Sequence, residues 1–195
     1  MICHSGKFVF THQGKCGGSS IAQSFKEIFP EAFRARFHDI NGPHTTLTDQ
    51  LEYLEKTGHD PSTYFKFSSV RNPWDRQVSW YWHWKQYVDQ DKTSDSKTPE
   101  NLPESFNKWL IENPGHCLTW SGMNKFDYII KLEDIETGFK HVCEKLNIHP
   151  RRLIHVNHNT WRPATKGYRD YYTQETINMV AKKNNDIIEK FNYTF

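Results

Sequence analysis

Lys7-Phe8-Val9-Phe10-Thr11, followed by Gln13-Gly14-Lys15-Cys16-Gly17-Gly18-Ser19-Ser20, is the stretch whose reading decides the fold. The first five residues are a short, β-rich apolar run, and the next eight are a glycine-rich turn carrying one lysine. Behind the turn, Ile21, Phe25, Ile28 and Phe29 recur at i, i+4, i+7 and i+8, the period of an amphipathic helix that Pro30 stops. Strand, glycine turn and helix start together make an anion cradle. Gly17 and Gly18 let backbone N–H groups close on a phosphate, the helix dipole adds positive potential, and Lys15 supplies a full charge. A G-K-[ST] loop places its lysine after the glycines and its hydroxyl on Mg²⁺. Here Lys15 precedes Gly17-Gly18, and no G-K-[ST] occurs at the turn. Taken alone, the stretch also reads as an ordinary glycine turn.

Working outward, Thr48-Asp49 offers caps for a second helix bearing Leu47, Leu51 and Leu54, with Gly58 beyond its end. Tyr64 to Val70 reads as a strand. Arg71-Asn72-Pro73-Trp74-Asp75 reads as a strand-to-helix junction, because proline at the first helical position needs no N–H partner. Residues 89–101 carry no large apolar side chain and are expected to form an exposed loop. Phe106, Trp109 and Leu110 mark a short helix, Phe126 to Leu132 a strand, and Phe139, Val142, Cys143 and Leu146 the face of a following helix. Arg152 to Val156 is expected as a last strand, and a longer helix starts near Thr173, its apolar face interrupted at Asn184. Strands alternating with helices imply right-handed crossovers and a parallel sheet covered on both faces. The fold class is α/β.

The 195 residues fit one domain and can bury a core without metal or disulfide staples. Aromatic residues at 15% exclude a disordered chain. A net charge of +2 excludes a dedicated nucleic-acid binder while leaving room for a local basic pocket. Cys3, Cys16, Cys117 and Cys143 are far apart and form no C-x-x-C pair, so reduced thiols are the default. No metal-ligand constellation appears. The N-terminal run has no apolar stretch long enough for a signal peptide or membrane span, and a cytoplasmic chain is the expectation.

The glycine turn, read with Arg71-Asn72-Pro73-Trp74-Asp75-Arg76-Gln77-Val78-Ser79-Trp80-Tyr81, resembles the sulfotransferases that use 3′-phosphoadenosine 5′-phosphosulfate (PAPS), especially their carbohydrate-acting branch. In that family a P-K-T-x-G-T-[ST]-like loop holds the phosphosulfate, and an R-N-P-x-D-R-x-x-S-x-Y segment holds the 3′-phosphate. The second motif is matched in full. Tyr168-Arg169-Asp170-Tyr171-Tyr172 and the closing Phe191 to Phe195 also resemble that branch, so the likeness runs along nearly the whole chain, 1–195, as a single domain. The resemblance implies a three-layer, P-loop-like fold with a central, mainly parallel sheet flanked by helices.

It also implies PAPS as donor, no metal, and an acceptor hydroxyl, that of a carbohydrate. Carried over by position, Lys15 contacts the phosphosulfate beside Cys16, Gly17, Gly18, Ser19 and Ser20, while Arg71 and Ser79 clamp the 3′-phosphate. Arginine's planar fork suits phosphate oxygens independently of any likeness. Gly14 and Cys16 depart from the family's Pro and Thr, which loosens the loop and removes a hydroxyl donor. Cys16, beside Lys15 at a helix start, reads as a small filler before a redox group.

Sulfuryl transfer needs a base at the acceptor oxygen and positive charge where the leaving oxygen develops. Lys15 fits the second need. His44, in a loop after Gly42-Pro43 and between the two motifs, matches the branch's base, and histidine titrates in the required range. His38 and Asp39 stand in reserve. His155 to Thr160 resembles the loop that closes over the nucleotide, with Asn157 as its contact. Trp80, Trp84 and Tyr87 share a helical face and are expected in the core, whereas Trp82, Trp120 and Trp161 are the candidates to stack on a sugar. The alternatives are a nucleotide phosphotransferase on the same fold and an inactive nucleotide- or glycan-binding module.

Overall fold

The computed structural model describes residues 1–32, 45–89, 102–113, 122–149, 151–156 and 162–195. They fall into two units, Met1–Val70 with Gly122–Asn157 and Arg71–Ser121 with His158–Phe195. The first unit holds the sheet: β1 (Ile2–Cys3), β2 (Phe8–Thr11), β3 (Phe65–Val70) and β4 (Tyr128–Lys131), in the order β1-β2-β3-β4. Parallel pairing joins β2 to β3, from Phe8↔Phe65 to Thr11↔Ser68, and β3 to β4, from Phe67↔Tyr128 to Val70↔Lys131. The two-residue edge strand β1, too short to show a pattern in sequence, runs antiparallel to β2.

Alternation along the strands divides the core between the two faces of the sheet. Phe8 and Phe10 of β2, with Phe67 and Ile130, pack against α1 (Gly18–Ile28) and α5 (Ile135–Lys145) through Ile21, Phe25, Phe139 and Val142. Ile2 and Val9 face the other way, onto Leu47 and Leu54 of α2 (Leu47–Lys56). This is the helix-covered, mainly parallel sheet that the alternation of apolar runs predicts.

Local expectations in the first unit are corrected at two places. The cap of α2 is Thr46, not Thr48-Asp49: Thr46 accepts from the Asp49 N–H, and the Asp49 carboxylate accepts from the Thr46 N–H, a reciprocal capping box. Residues 151–156 form no strand. Their amides turn to side chains instead: Ile154 N–H donates to Ser24 Oγ at 2.8 Å, and Val156 N–H to Ser20 Oγ at 3.1 Å.

The second unit holds α3 (Pro73–Asp89), α4 (Leu102–Glu112), α6 (Gln174–Lys183) and α7 (Asn185–Phe191). Trp74, Val78, Tyr81 and Trp82 are the buried face of α3, and Phe106, Trp109 and Leu110 that of α4. Trp82 is therefore core, its Nε1 donating to Tyr171 Oη at 3.1 Å, while Trp84 is 46% exposed. The sequence-based assignment of these two tryptophans is reversed because the apolar stripe runs i, i+4, i+7, i+8 from Trp74, not through Trp80 and Trp84. The C-terminal helix is two helices. Asn184 breaks it, buried and with Nδ2 donating to the Val180 carbonyl at 2.8 Å.

Gly138 on α5 faces Ile130 of β4, and a Cβ at residue 138 would lie 2.6 Å from Ile130 Cγ2. Alanine ordinarily gains about 1 kcal/mol over glycine inside a helix. Here the collision reverses the sign: Gly138→Ala lowers stability by about 1–3 kcal/mol, read as a fall in thermal midpoint.

Candidate active site

In the first unit, β2 ends at Thr11, and the chain enters α1 through two left-handed residues, Lys15 (φ 65°) and Gly17 (φ 76°). Cys16 between them is not left-handed. The Cys16 N–H donates to the Gln13 carbonyl at 3.3 Å, its thiol lies 3.5 Å from the Gly14 carbonyl, and its side chain is fully buried. Cys16 therefore holds the turn's shape from inside.

Gly17 stands at the N-cap of α1 and supplies no side-chain cap, and the first turn carries no acidic residue. A helix start exposes N–H donors and positive potential, and here no carboxylate of the first turn answers them. That leaves the position suited to an anion from outside.

Gly17 is favoured by its left-handed backbone, and both glycines sit where a side chain would meet neighbours. A Cβ on residue 17 would lie 2.6 Å from Leu132 Cδ1 and 2.8 Å from Ile135 Cδ1. On residue 18 it would lie 2.0 Å from His12 Cδ2. His12 follows β2 directly, its ring stacked on Phe10 with centroids 6.2 Å apart. Nothing in the sequence marks it among eleven histidines, yet it is the floor on which the turn rests.

Ser20, predicted beside the phosphosulfate, is buried and accepts from Val156 N–H. Ser24, one turn later, donates to the Ser20 carbonyl at 2.9 Å and accepts from Ile154 N–H at 2.8 Å. The two serines thereby lace residues 151–156 along α1. Beside them the His155 ring meets the Glu136 carboxylate at 2.8 Å.

In the second unit, the R-N-P motif is a helix start with each residue in a physical role. Asn72 Oδ1 accepts from the N–H groups of Trp74 (3.1 Å) and Asp75 (3.3 Å), capping α3, and Pro73 occupies the first helical position. Asn72 Nδ2 donates to the Thr194 carbonyl at 3.0 Å, tying the cap to the C-terminal segment.

Asp75, in the first turn of α3, accepts from Arg71 Nε (2.9 Å) and Nη2 (2.7 Å) on one oxygen and from Arg162 Nη1 (2.8 Å) on the other. Burial pushes the Asp75 carboxyl up, but the Arg71 charge and the hydrogen bonds from Arg162 and Arg71 outweigh it and hold the group below its usual 3.8. Arg76 and Ser79 are buried on the same helix. The glycine turn with Lys15 in the first unit, and the arginines before and along α3 in the second, each carry donors and positive charge of the kind a phosphate takes.

The model of the Sulfotransferase family matches residues 1–194. This chain belongs to the sulfotransferase family. Sulfuryl transfer is thus its chemistry in general, on the family's P-loop-like fold. No curated protein and no solved structure matches it.

Among the described residues of this sulfotransferase, no group of three or more His, Cys, Asp or Glu could hold a metal, and no helix is long and apolar enough to cross a membrane. His44, His38, Asp39, Asn157, Trp120, Trp161 and Cys117 lie outside the described residues, as does all but the first residue of the expected 89–101 loop. The signal for Asn72 was present in the Asn-Pro pair itself. No local signal announced His12 or Arg162, which reach their places through packing and through contact with Asp75.

Two predictions follow from this geometry. Gly18→Ala destabilises the sulfotransferase by about 2–3 kcal/mol through the His12 collision. Adding His12→Ala recovers part of that loss, and a thermal double-mutant cycle reads the coupling. Asp75, depressed when folded, stabilises above its unfolded value, and that contribution is lost as pH falls through its lower, folded value. Urea titrations from pH 6 downward should show this acid loss in the wild type and less of it in Asp75→Asn, with strictly parallel curves counting against the assignment.

Proposed function

We propose that this sulfotransferase moves the sulfuryl group of PAPS to a hydroxyl of a carbohydrate, acting as one catalytic domain over its 195 residues. The observation that carries the reading is the start of α1: a left-handed Lys15–Gly17 turn leading to a helix whose cap offers no side chain and whose first turn has no acid. These are the features an anionic phosphosulfate requires of a protein. The residues fit the donor at its other end as well, because Arg71 and Ser79 occupy the matched R-N-P-x-D-R-x-x-S positions. When bound, PAPS supplies an activated sulfuryl group whose departure leaves a phosphate oxygen.

In this reading Lys15 steadies the charge that develops on that oxygen, and the N–H groups of Gly17, Gly18 and Ser19 orient the same end. Ser20 acts through its backbone, its hydroxyl being engaged by Val156. Cys16 serves by shaping the turn. His44, chosen from its place in the sequence, takes the acceptor hydroxyl's proton, and Asn157 contributes from the segment that Ser20 and Ser24 lead into. No metal is needed for this chemistry.

Thermal shift with adenosine 3′,5′-bisphosphate, set beside ATP with Mg²⁺, tests the reading. At about a hundred times its dissociation constant the bisphosphate adds about 2.7 kcal/mol of stability. Lys15→Ala and Arg71→Ala should each weaken that stabilisation, and His44→Ala should abolish turnover while leaving it intact. Stabilisation by ATP with Mg²⁺ alone would replace this reading with phosphoryl transfer.

A further inference from the structure

The first unit carries a pair of histidines at the end of its sheet away from the glycine turn. His4 follows β1, His59 follows α2 through the left-handed Gly58 (φ 77°), and Tyr64 precedes β3. The parallel strands β2 and β3 both begin there, whereas Lys15 lies past the other end of β2. The His4 and His59 rings are stacked, their centroids 4.1 Å apart and their planes 29° from parallel. Each meets the Tyr64 ring edge-on, at 6.0 Å and 6.4 Å. His4 Nδ1 and the Tyr64 hydroxyl share a hydrogen bond of 2.7 Å, and Tyr64 is buried.

Neutral imidazoles stack as aromatic rings do, but two imidazolium rings at this separation repel as unit charges. The described charges around the pair are engaged elsewhere or add to that repulsion. Lys7, between β1 and β2, holds its ammonium 4.8 Å over the Tyr64 ring and brings a further positive charge. Asp60, beside His59, takes the N–H and hydroxyl of Ser62 at 2.9 and 2.8 Å and faces Lys66 and Lys7. Lys66 donates to the Tyr64 carbonyl at 2.8 Å and stands 3.6 Å from Asp127. Glu31 takes hydrogen bonds from Cys3 and Ser5, on either side of His4. Burial raises the Tyr64 phenol and the Cys3 thiol, so both stay neutral. Burial, the His59 ring and Lys7 lower the His4 imidazole below its usual 6.5.

The pair joins segments whose neighbours are core. Ile2 and Cys3, just before His4, are fully buried on opposite faces of the sheet, and Phe65 N–H donates to the Lys7 carbonyl at 2.8 Å. With two residues of ladder, β1 depends on the side chains that follow it.

We propose that the His4–His59 stack is a pH-operated clasp joining the β1–β2 turn to the segment between α2 and β3. It is closed while at most one ring carries a proton, and it opens when a second proton charges both. The clasp stands apart from sulfuryl transfer, since neither histidine belongs to the donor or acceptor machinery. His4, lowered in the fold, contributes stability that is complete above its unfolded value near 6.5 and is lost as pH falls through the lower, folded value. Asp75 loses its own contribution below 3.8, in a separate range of pH.

Proton NMR titration of the histidine rings from pH 8 to 5, with thermal midpoints over the same range, tests this in the wild type and His59→Phe. His4→Gln assigns the His4 signal. In His59→Phe, which keeps a ring and removes its charge, the His4 titration should move up. Between pH 8 and 5 the wild type should lose about 2–4 °C more of its midpoint than His59→Phe, the effect of one unit-charge repulsion at this distance in water. A His4 titration unchanged in His59→Phe shows that the rings do not sense each other's charge and overturns the proposal. Equal midpoint losses overturn it as well, because a merely structural stack shifts the variant by the same amount at every pH. Should His59→Phe fail to fold, His59→Gln carries both comparisons with the same two outcomes.

Discussion

The turn between β2 and α1 is governed by one steric fact: the ring of His12 occupies the space where a side chain on residue 18 would be. Everything the turn offers an anion depends on that closeness. Because residue 18 has no side chain, α1 can begin directly over the end of β2. Because Gly17 is left-handed, the chain can reverse into the helix at that point. The helix start that results has neither an acidic first turn nor a capping side chain, so its positive end stays available. The apolar side of the same region is closed by Leu132, just after β4, and Ile135, at the start of α5, which crowd Gly17.

The second unit solves a similar problem with different chemistry. A helix start needs a cap, and Asn72 provides it, with Pro73 behind it at no cost in hydrogen bonds. That arrangement frees the first turn to carry Asp75 at its ordinary, dipole-favoured place. The carboxylate then becomes the anchor for arginines on either side of it in sequence. Opposite charges carried by different parts of the chain thus form one cluster, whose protonation is resisted because both partners favour the ionised acid.

Much of the fold was legible because its signals are local. The β-rich runs at Phe8–Thr11 and Phe65–Val70, the 3.6-residue period of α1 and α5, and the proline at the start of α3 are all short-range consequences of side-chain shape. The errors arise where local signals compete with tertiary ones. Residues 151–156 have strand-forming side chains, but Ser20 and Ser24 take their amides, so no ladder forms. Trp82 and Trp84 differ by only two positions, and which of them is covered depends on where Tyr171 and Phe106 come to rest. Of the candidate site, the two motifs were legible as a glycine turn and a helix start, and the structure puts Lys15, Gly17 and Gly18 in the first and Arg71 and Ser79 at the second.

By itself, then, the sequence determined the α/β class, the strand–glycine turn–helix order and the start of a helix at the Asn72-Pro73 pair, since each rests on residues within a few positions of one another. Tertiary structure alone decided that His12 underlies Gly18, that Ser20 faces Val156 rather than solvent, and that Arg162 joins Arg71 on Asp75. Those pairings join residues that only chain packing brings together, or turn on the direction of a side chain, and no local period or propensity encodes either.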